Sequence, residues 1–138
     1  MSKKQLLLIE DEGYVIDRVN DLLKEFPQFE VNVCTEAGQA RELLGSRPFD
    51  IVITCVYLRG ASGLEFSFKA REKNPDTCVI VLAGLDALEM ANKAVKEGAL
   101  DFVIKPAALE RLTNILKMVT LVRGLAAKPE KKKTDPGA

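Results

Sequence analysis

Five short apolar runs recur along the chain, each separated from the next by a stretch whose apolar residues repeat at helical spacing. The runs are Gln5–Glu10, Phe29–Cys34, Asp50–Cys55, Cys78–Ala83 and Asp101–Lys105. Within them, Leu6-Leu7-Leu8-Ile9 and Val79-Ile80-Val81-Leu82 show no polar alternation, which predicts strands buried on both faces. In the first intervening stretch, Val15, Val19, Leu22, Leu23 and Phe26 share one helical face, and Pro27 ends it. Ala37, Ala40, Leu43 and Leu44 line a second helix closed by Gly45. A third spans about 63–73 before Asn74-Pro75, and a fourth about 87–97 before Gly98. Strand and helix in strict alternation predict an α/β domain: a parallel sheet with helices on both faces.

The last helix, expected over about 107–127, is broader in its apolar surface than the others. Leu109, Leu112, Leu116 and Val119 form a stripe that docks on the sheet, and Ile115, Met118, Val122 and Leu125 form a second stripe beside it. A covering helix needs one stripe. The second is either broad core or a surface for self-association or a partner. Beyond it, residues 128–138 hold no large apolar side chain and are expected to form a disordered, Lys-rich tail.

A chain of 138 residues suits one domain with one sizeable core, and its 47% hydrophobic and 29% charged content is ordinary for a globular protein. The formal net charge is zero but uneven: residues 128–138 carry four lysines against two acids, leaving the body at −2. A slightly acidic body offers no electrostatic footprint for nucleic acid. No apolar run is long enough to cross a bilayer, and the start Met-Ser-Lys-Lys leads straight into a strand, unlike a signal peptide. The expectations are therefore a cytoplasmic location and neither a nucleic-acid nor a membrane partner. Three cysteines without paired short spacing argue against a zinc site or a disulfide framework. The absence of histidine removes Cys–His nucleophiles and His-based metal sites.

In doubly wound sheets, ligands bind at the carboxyl ends of the strands. Glu10, Asp11, Cys55, Ala83 and Lys105 all fall at such ends. Helix capping accounts for part of the acidic pair, since an acid ahead of a helix stabilises its N-terminus by roughly 0.5–2 kcal/mol. It does not account for the convergence of all five.

Glu10-Asp11 after the first strand, the run ending at Cys55, Gly63 and Lys105-Pro106 together resemble the response regulator receiver domain, over about Leu6 to Gly124. The resemblance implies a single flavodoxin-like doubly wound (βα)5 domain over residues 5–124, with strand order 2-1-3-4-5, and a helix end and flexible tail over 125–138. In this family the third strand ends in the aspartate that accepts a phosphoryl group, with a glycine eight residues on. Counting back from Gly63 gives Cys55. The family's acidic pair and acceptor hold Mg²⁺, a Ser or Thr after the fourth strand contacts the phosphoryl group, and the lysine binds one of its oxygens. Glu10, Asp11 and Lys105 match this pattern, and Phe102 stands at the switching aromatic. Cys55 and Ala83 depart from it, the latter standing where the hydroxyl belongs, and Arg59 occupies a position that is often proline.

The departures have chemical consequences. Mg²⁺ is a hard cation that prefers oxygen, so Glu10 and Asp11 alone are expected to bind it weakly, and no cofactor is required. A thiol with an ordinary pKa near ~8.5 is mostly protonated unless Lys105 lowers it, and it cannot form an acyl phosphate. The expectation is a signalling module, not an enzyme: a pseudo-receiver of the two-component phosphorelay type, independent of phosphorylation. It would act by docking to a histidine kinase, an output protein or a second copy, the last through the final helix. The alternative inside the family is a conventional phosphoacceptor carrying a substitution at Cys55, which leaves Ala83 unexplained. The alternative outside it is a cysteine-dependent phosphatase, but the Cys-x5-Arg pattern fails at Ala61 and no histidine can act as base. A flavin site lacks its hydroxyl-rich phosphate loop, where two acids would repel phosphate.

Overall fold

The three central runs, Leu6–Ile9, Ile51–Cys55 and Cys78–Ala83, stack side by side because helices shield both of their faces, while the two edge runs stay partly exposed. In the computed structural model, which describes residues 3–125, the elements are β1 (Lys4–Ile9), α1 (Gly13–Leu23), β2 (Phe29–Cys34), α2 (Ala37–Ser46), β3 (Ile51–Cys55), β4 (Tyr57–Leu58), β5 (Ala61–Ser62), α3 (Gly63–Lys73), β6 (Cys78–Ala83), a 3-10 turn (Leu85–Ala87), α4 (Leu88–Lys96), β7 (Asp101–Ile104) and α5 (Arg111–Val122). Five strands form one sheet in the order β2-β1-β3-β6-β7, with every pair parallel. This is the expected 2-1-3-4-5 arrangement once the short β4–β5 hairpin is set aside.

Alternate residues of each strand feed two cores. Leu7, Ile9, Val52 and Val81 face α2, α3 and α4, meeting Ala40, Leu44, Phe66, Ala70, Ala91 and Ala94. Leu6, Leu8, Ile53, Ile80 and Val103 face α1 and α5, meeting Val15, Val19, Leu112 and Leu116. Burying a leucine or isoleucine fully contributes roughly 1.5–3 kcal/mol, so the strands hold because both faces are covered. α3 begins where Ser62 Oγ, at the N-cap, accepts from the Glu65 N–H at 3.5 Å, with Glu65 in the first turn.

Three expectations change. The segment between Cys55 and Gly63, expected as a loop, contains the antiparallel β4–β5 hairpin. Its two-residue strands are too short to show a period. The fourth helix, expected from 87, starts at Leu88 behind the 3-10 turn. The last helix begins at Arg111, not 107, because the N–H groups of Arg111, Leu112 and Thr113 donate three residues back, to Ala108, Leu109 and Glu110, and so close tight turns. It stops at Val122 because Gly124 takes a left-handed φ of 69° that glycine tolerates, and the Leu125 N–H then caps Thr120 O at 2.8 Å.

That ending also corrects the second apolar stripe. Ile115 and Leu125, each 9% exposed, belong to the core against α1 and the sheet. Met118 (64%) and Val122 (74%) stay exposed, joined by Leu121 at 79%. The expected helix end beyond Leu125 and the Lys-rich tail lie outside the described residues.

Candidate functional site

All five strands are parallel, so their carboxyl ends gather at one end of the sheet. Glu10 and Asp11 follow β1, Cys55 ends β3, Ala83 ends β6 and Lys105 follows β7. The registers Ile9↔Thr54, Cys55↔Leu82 and Ala83↔Ile104 bring them into one row. The Lys105 N–H donates to Ala83 O at 3.0 Å, which ties the last strand's exit to its neighbour.

The centre of the site is a closed ion pair. Lys105 Nζ donates to both Glu10 carboxylate oxygens, at 2.9 and 3.0 Å, and the Glu10 side chain is fully buried. Glu10 Oε2 also accepts the Asp11 and Glu12 N–H groups at 3.1 Å each. The capping expected of the acidic pair is not made: both N–H groups that Glu10 binds precede α1, whose N-cap Glu12 has no side-chain cap hydrogen bond. Burial pushes the Glu10 carboxyl up from its ordinary value, and the hydrogen bond and charge of Lys105 offset only part of this. Burial works against the Lys105 ammonium too, but the Glu10 carboxylate outweighs it and holds the lysine's pKa above its usual value. A second acid, Glu12, reaches Lys105 at 3.7 Å from an exposed position.

Cys55 is fully buried and packs with the core on the α2–α4 side. Its Sγ donates to Tyr57 O at 3.1 Å. Burial pushes the thiol up to about 12, with the Glu10 charge adding to the rise and Lys105 opposing it. Lys105 therefore does not activate this thiol. That argues against the cysteine-phosphatase alternative, which requires a thiolate at neutral pH.

Eight residues on, Gly63 explains its own spacing. A Cβ there would sit 2.5 Å from Cys55 O and 3.3 Å from Val56 Cα, and the Gly63 N–H donates to Val56 O at 2.7 Å. The chain must return this closely to the end of β3 to start α3, and only glycine permits it.

Ala83 is buried and presents a methyl group to a cavity of about 180 Å³ lined also by Glu12, Tyr57, Leu82, Gly84, Asp86 and Lys105. Phe102 is half-buried and packs against the α2–α4 core. Asp11 is exposed and lies with Arg59 on a separate cavity of about 510 Å³. Tyr57, Asp86 and Glu12 were not singled out from the sequence. Glu12 was visible as the third acid of Glu10-Asp11-Glu12, whereas Tyr57 and Asp86 depend on loop geometry that no period encodes.

The Mg²⁺ implied by the family resemblance does not fit these side chains. Glu10 spends its carboxylate on Lys105 and two N–H groups, and Cys55 offers a protonated sulfur. Among the described residues, no three His, Cys, Asp or Glu side chains converge to hold a metal ion. The three cysteines are free: Cys34 on β2 is separated from Cys55 on β3 by β1. No helix among the described residues is long and apolar enough to cross a membrane.

The signature of the response regulator receiver domain matches residues 6–117. The response regulator protein PilR of Pseudomonas aeruginosa is 29% identical over 123 residues, covering 89% of this chain and 27% of its own length. The chain spans 27% to 48% of this and two other curated relatives. A Burkholderia pseudomallei response regulator, solved with a phosphorylated aspartic acid, superposes with a TM-score of 0.70 at 25% identity, over 88% of this chain and 72% of that one. The solution structure of the beryllofluoride-activated NtrC4 receiver domain dimer superposes with a TM-score of 0.71 at 25% identity, over 83% and 93%.

Proposed function

Because this chain belongs to the response regulator receiver family, we propose that it is a signalling module that acts by protein–protein docking, independently of phosphorylation. The observation that carries this reading is the state of the site's two reactive groups. The thiol at position 55 is buried and protonated, and the lysine that would meet a phosphoryl oxygen is already satisfied by Glu10. An acyl phosphate needs a carboxylate, and the pocket side of β6 ends in the methyl of Ala83 instead of a hydroxyl. On this reading the Glu10–Lys105 pair fixes the carboxyl end of the sheet in one arrangement.

Binding then falls to the surface. Met118, Leu121 and Val122 place three large apolar side chains in solvent along α5, which soluble monomers rarely do contiguously. The activated NtrC4 receiver domain is a dimer, and a second copy of this chain is the partner we assign to the α5 face. A histidine kinase or an output protein is the further class of partner, and the cytoplasm the expected compartment. The domain itself is not an enzyme.

Incubation with acetyl phosphate and Mg²⁺, followed by intact mass, tests the proposal. The expected result is no added phosphate. A stoichiometric, hydroxylamine-labile adduct on an aspartate, Asp11 being the exposed candidate, would overturn it.

A further inference from the structure

The segment that follows Cys55 is held from three directions. Within itself, Tyr57–Leu58 pairs with Ala61–Ser62 and turns at Gly60, whose φ is 84°. From the sheet, Cys55 Sγ donates to Tyr57 O at 3.1 Å and Val56 N–H to Leu82 O at 3.0 Å. From α2, one guanidinium reaches the turn and the helix that follows the hairpin. Arg41 Nη2 donates to Gly60 O at 3.1 Å, while Arg41 Nε and Nη2 hold the Glu65 carboxylate at 2.6 and 3.0 Å in the first turn of α3.

A hairpin of two two-residue strands has almost no stability of its own. A planar guanidinium making several hydrogen bonds in fixed geometry is a stronger tether than a lone surface ion pair. Cys55 has no exposed surface, and the hairpin carbonyl that accepts its thiol proton belongs to the tethered segment. We infer that Arg41 is a latch: it keeps the β4–β5 hairpin closed over Cys55, and releasing it lets the hairpin open locally while the sheet stays folded. α2 thereby controls access to position 55 from outside the site, through a contact that does not involve Glu10 or Lys105.

Two internal references make this testable. Cys34 in β2 and Cys78 in β6 are also buried and pair with strands of the main sheet, so their alkylation reports opening of the rest of the domain. Wild type, Arg41→Met and Glu65→Gln would be treated with iodoacetamide under native conditions, and the three cysteines followed separately by peptide mass. Arg41→Met is expected to speed alkylation of Cys55 roughly three- to tenfold relative to Cys34 and Cys78. Glu65→Gln, which leaves the Arg41–Gly60 contact available, is expected to give a smaller rise. An unchanged Cys55 rate in Arg41→Met, or all three cysteines accelerating together, would overturn the latch. The readout is the thiol alone, so it fails or succeeds independently of whether phosphate is ever added.

Discussion

Replacing Lys105 with methionine isolates the ion pair that organises the site. The change keeps most of the side chain's length and apolar stem but leaves the Glu10 carboxylate fully buried, with only the Asp11 and Glu12 N–H groups as partners. Removing one member of a buried pair costs about 3–5 kcal/mol. Two retained hydrogen bonds place this variant at the lower end, at ~3 kcal/mol out of a total of ~5–15. The loss carries a pH signature. Burial already raises the Glu10 pKa, and the variant loses both effects of Lys105 that pull it down, so it rises further. A carboxyl with a raised folded-state pKa binds more protons when native, so its contribution is most favourable below the unfolded value and is lost as pH rises through the folded one. The variant should therefore be weakest near pH ~7 and regain stability toward pH ~5, with Glu10→Gln/Lys105→Met recovering most of the loss at both. Urea unfolding followed by circular dichroism measures it. A loss under ~1 kcal/mol, or one that pH leaves unchanged, would refute the pair as described.

Gly63→Ala forces a Cβ against the Cys55 carbonyl, with only backbone to yield, and should cost ~1–3 kcal/mol in the same unfolding assay. A cost near zero would mean the β3–α3 approach is looser than described. Met118→Glu and Val122→Glu each place a charge on the exposed α5 face, and sedimentation should show wild-type self-association lost in both. A wild type that stays monomeric at high concentration removes the assigned partner. Cys55→Asp supplies a third carboxylate near Glu10 and Asp11, so an amide near Asp11 should shift at lower Mg²⁺ concentration than in wild type. An identical titration in both proteins would place residue 55 outside any metal's reach.

The fold was legible because its central strands are buried on both faces, and continuous apolar runs such as Leu6–Ile9 carry that fact without tertiary information. The observed bounds Phe29–Cys34, Gly63–Lys73 and Cys78–Ala83 match the expected ones, since turn residues or breakers flank each segment. Two kinds of feature were hidden. Helical period assigned Ile115 and Leu125 to an outer stripe, yet Ile115 lies close enough to the docked face to be enclosed and Leu125 turns inward past Gly124. Period also cannot see contacts made through loops, so Arg41, Tyr57 and Asp86 gave no signal. The row of site residues was visible because parallel strands all deliver their ends to one place. The Glu10–Lys105 pairing was not, since 95 residues separate the two.

The two unusual residues act on this pairing in the same direction. A carboxylate at position 55 would bring a second negative charge within range of both Glu10 and Lys105, whose charges already bear on the Cys55 thiol. Lys105 would then be divided between two acids, and Glu10 would be freer to meet a metal. A neutral thiol leaves the ammonium wholly to Glu10. At the end of β6, the Ala83 methyl likewise puts no polar group into the 180 Å³ cavity beside Lys105. Neither Cys55 nor Ala83 presents an oxygen that would need a ligand or water to satisfy it, and buried polar groups left unpaired are costly. An internal Glu10–Lys105 pair beside a neutral thiol and a methyl group needs no added ligand to satisfy its charges, which is the condition a docking module needs if no phosphoryl group is to order it.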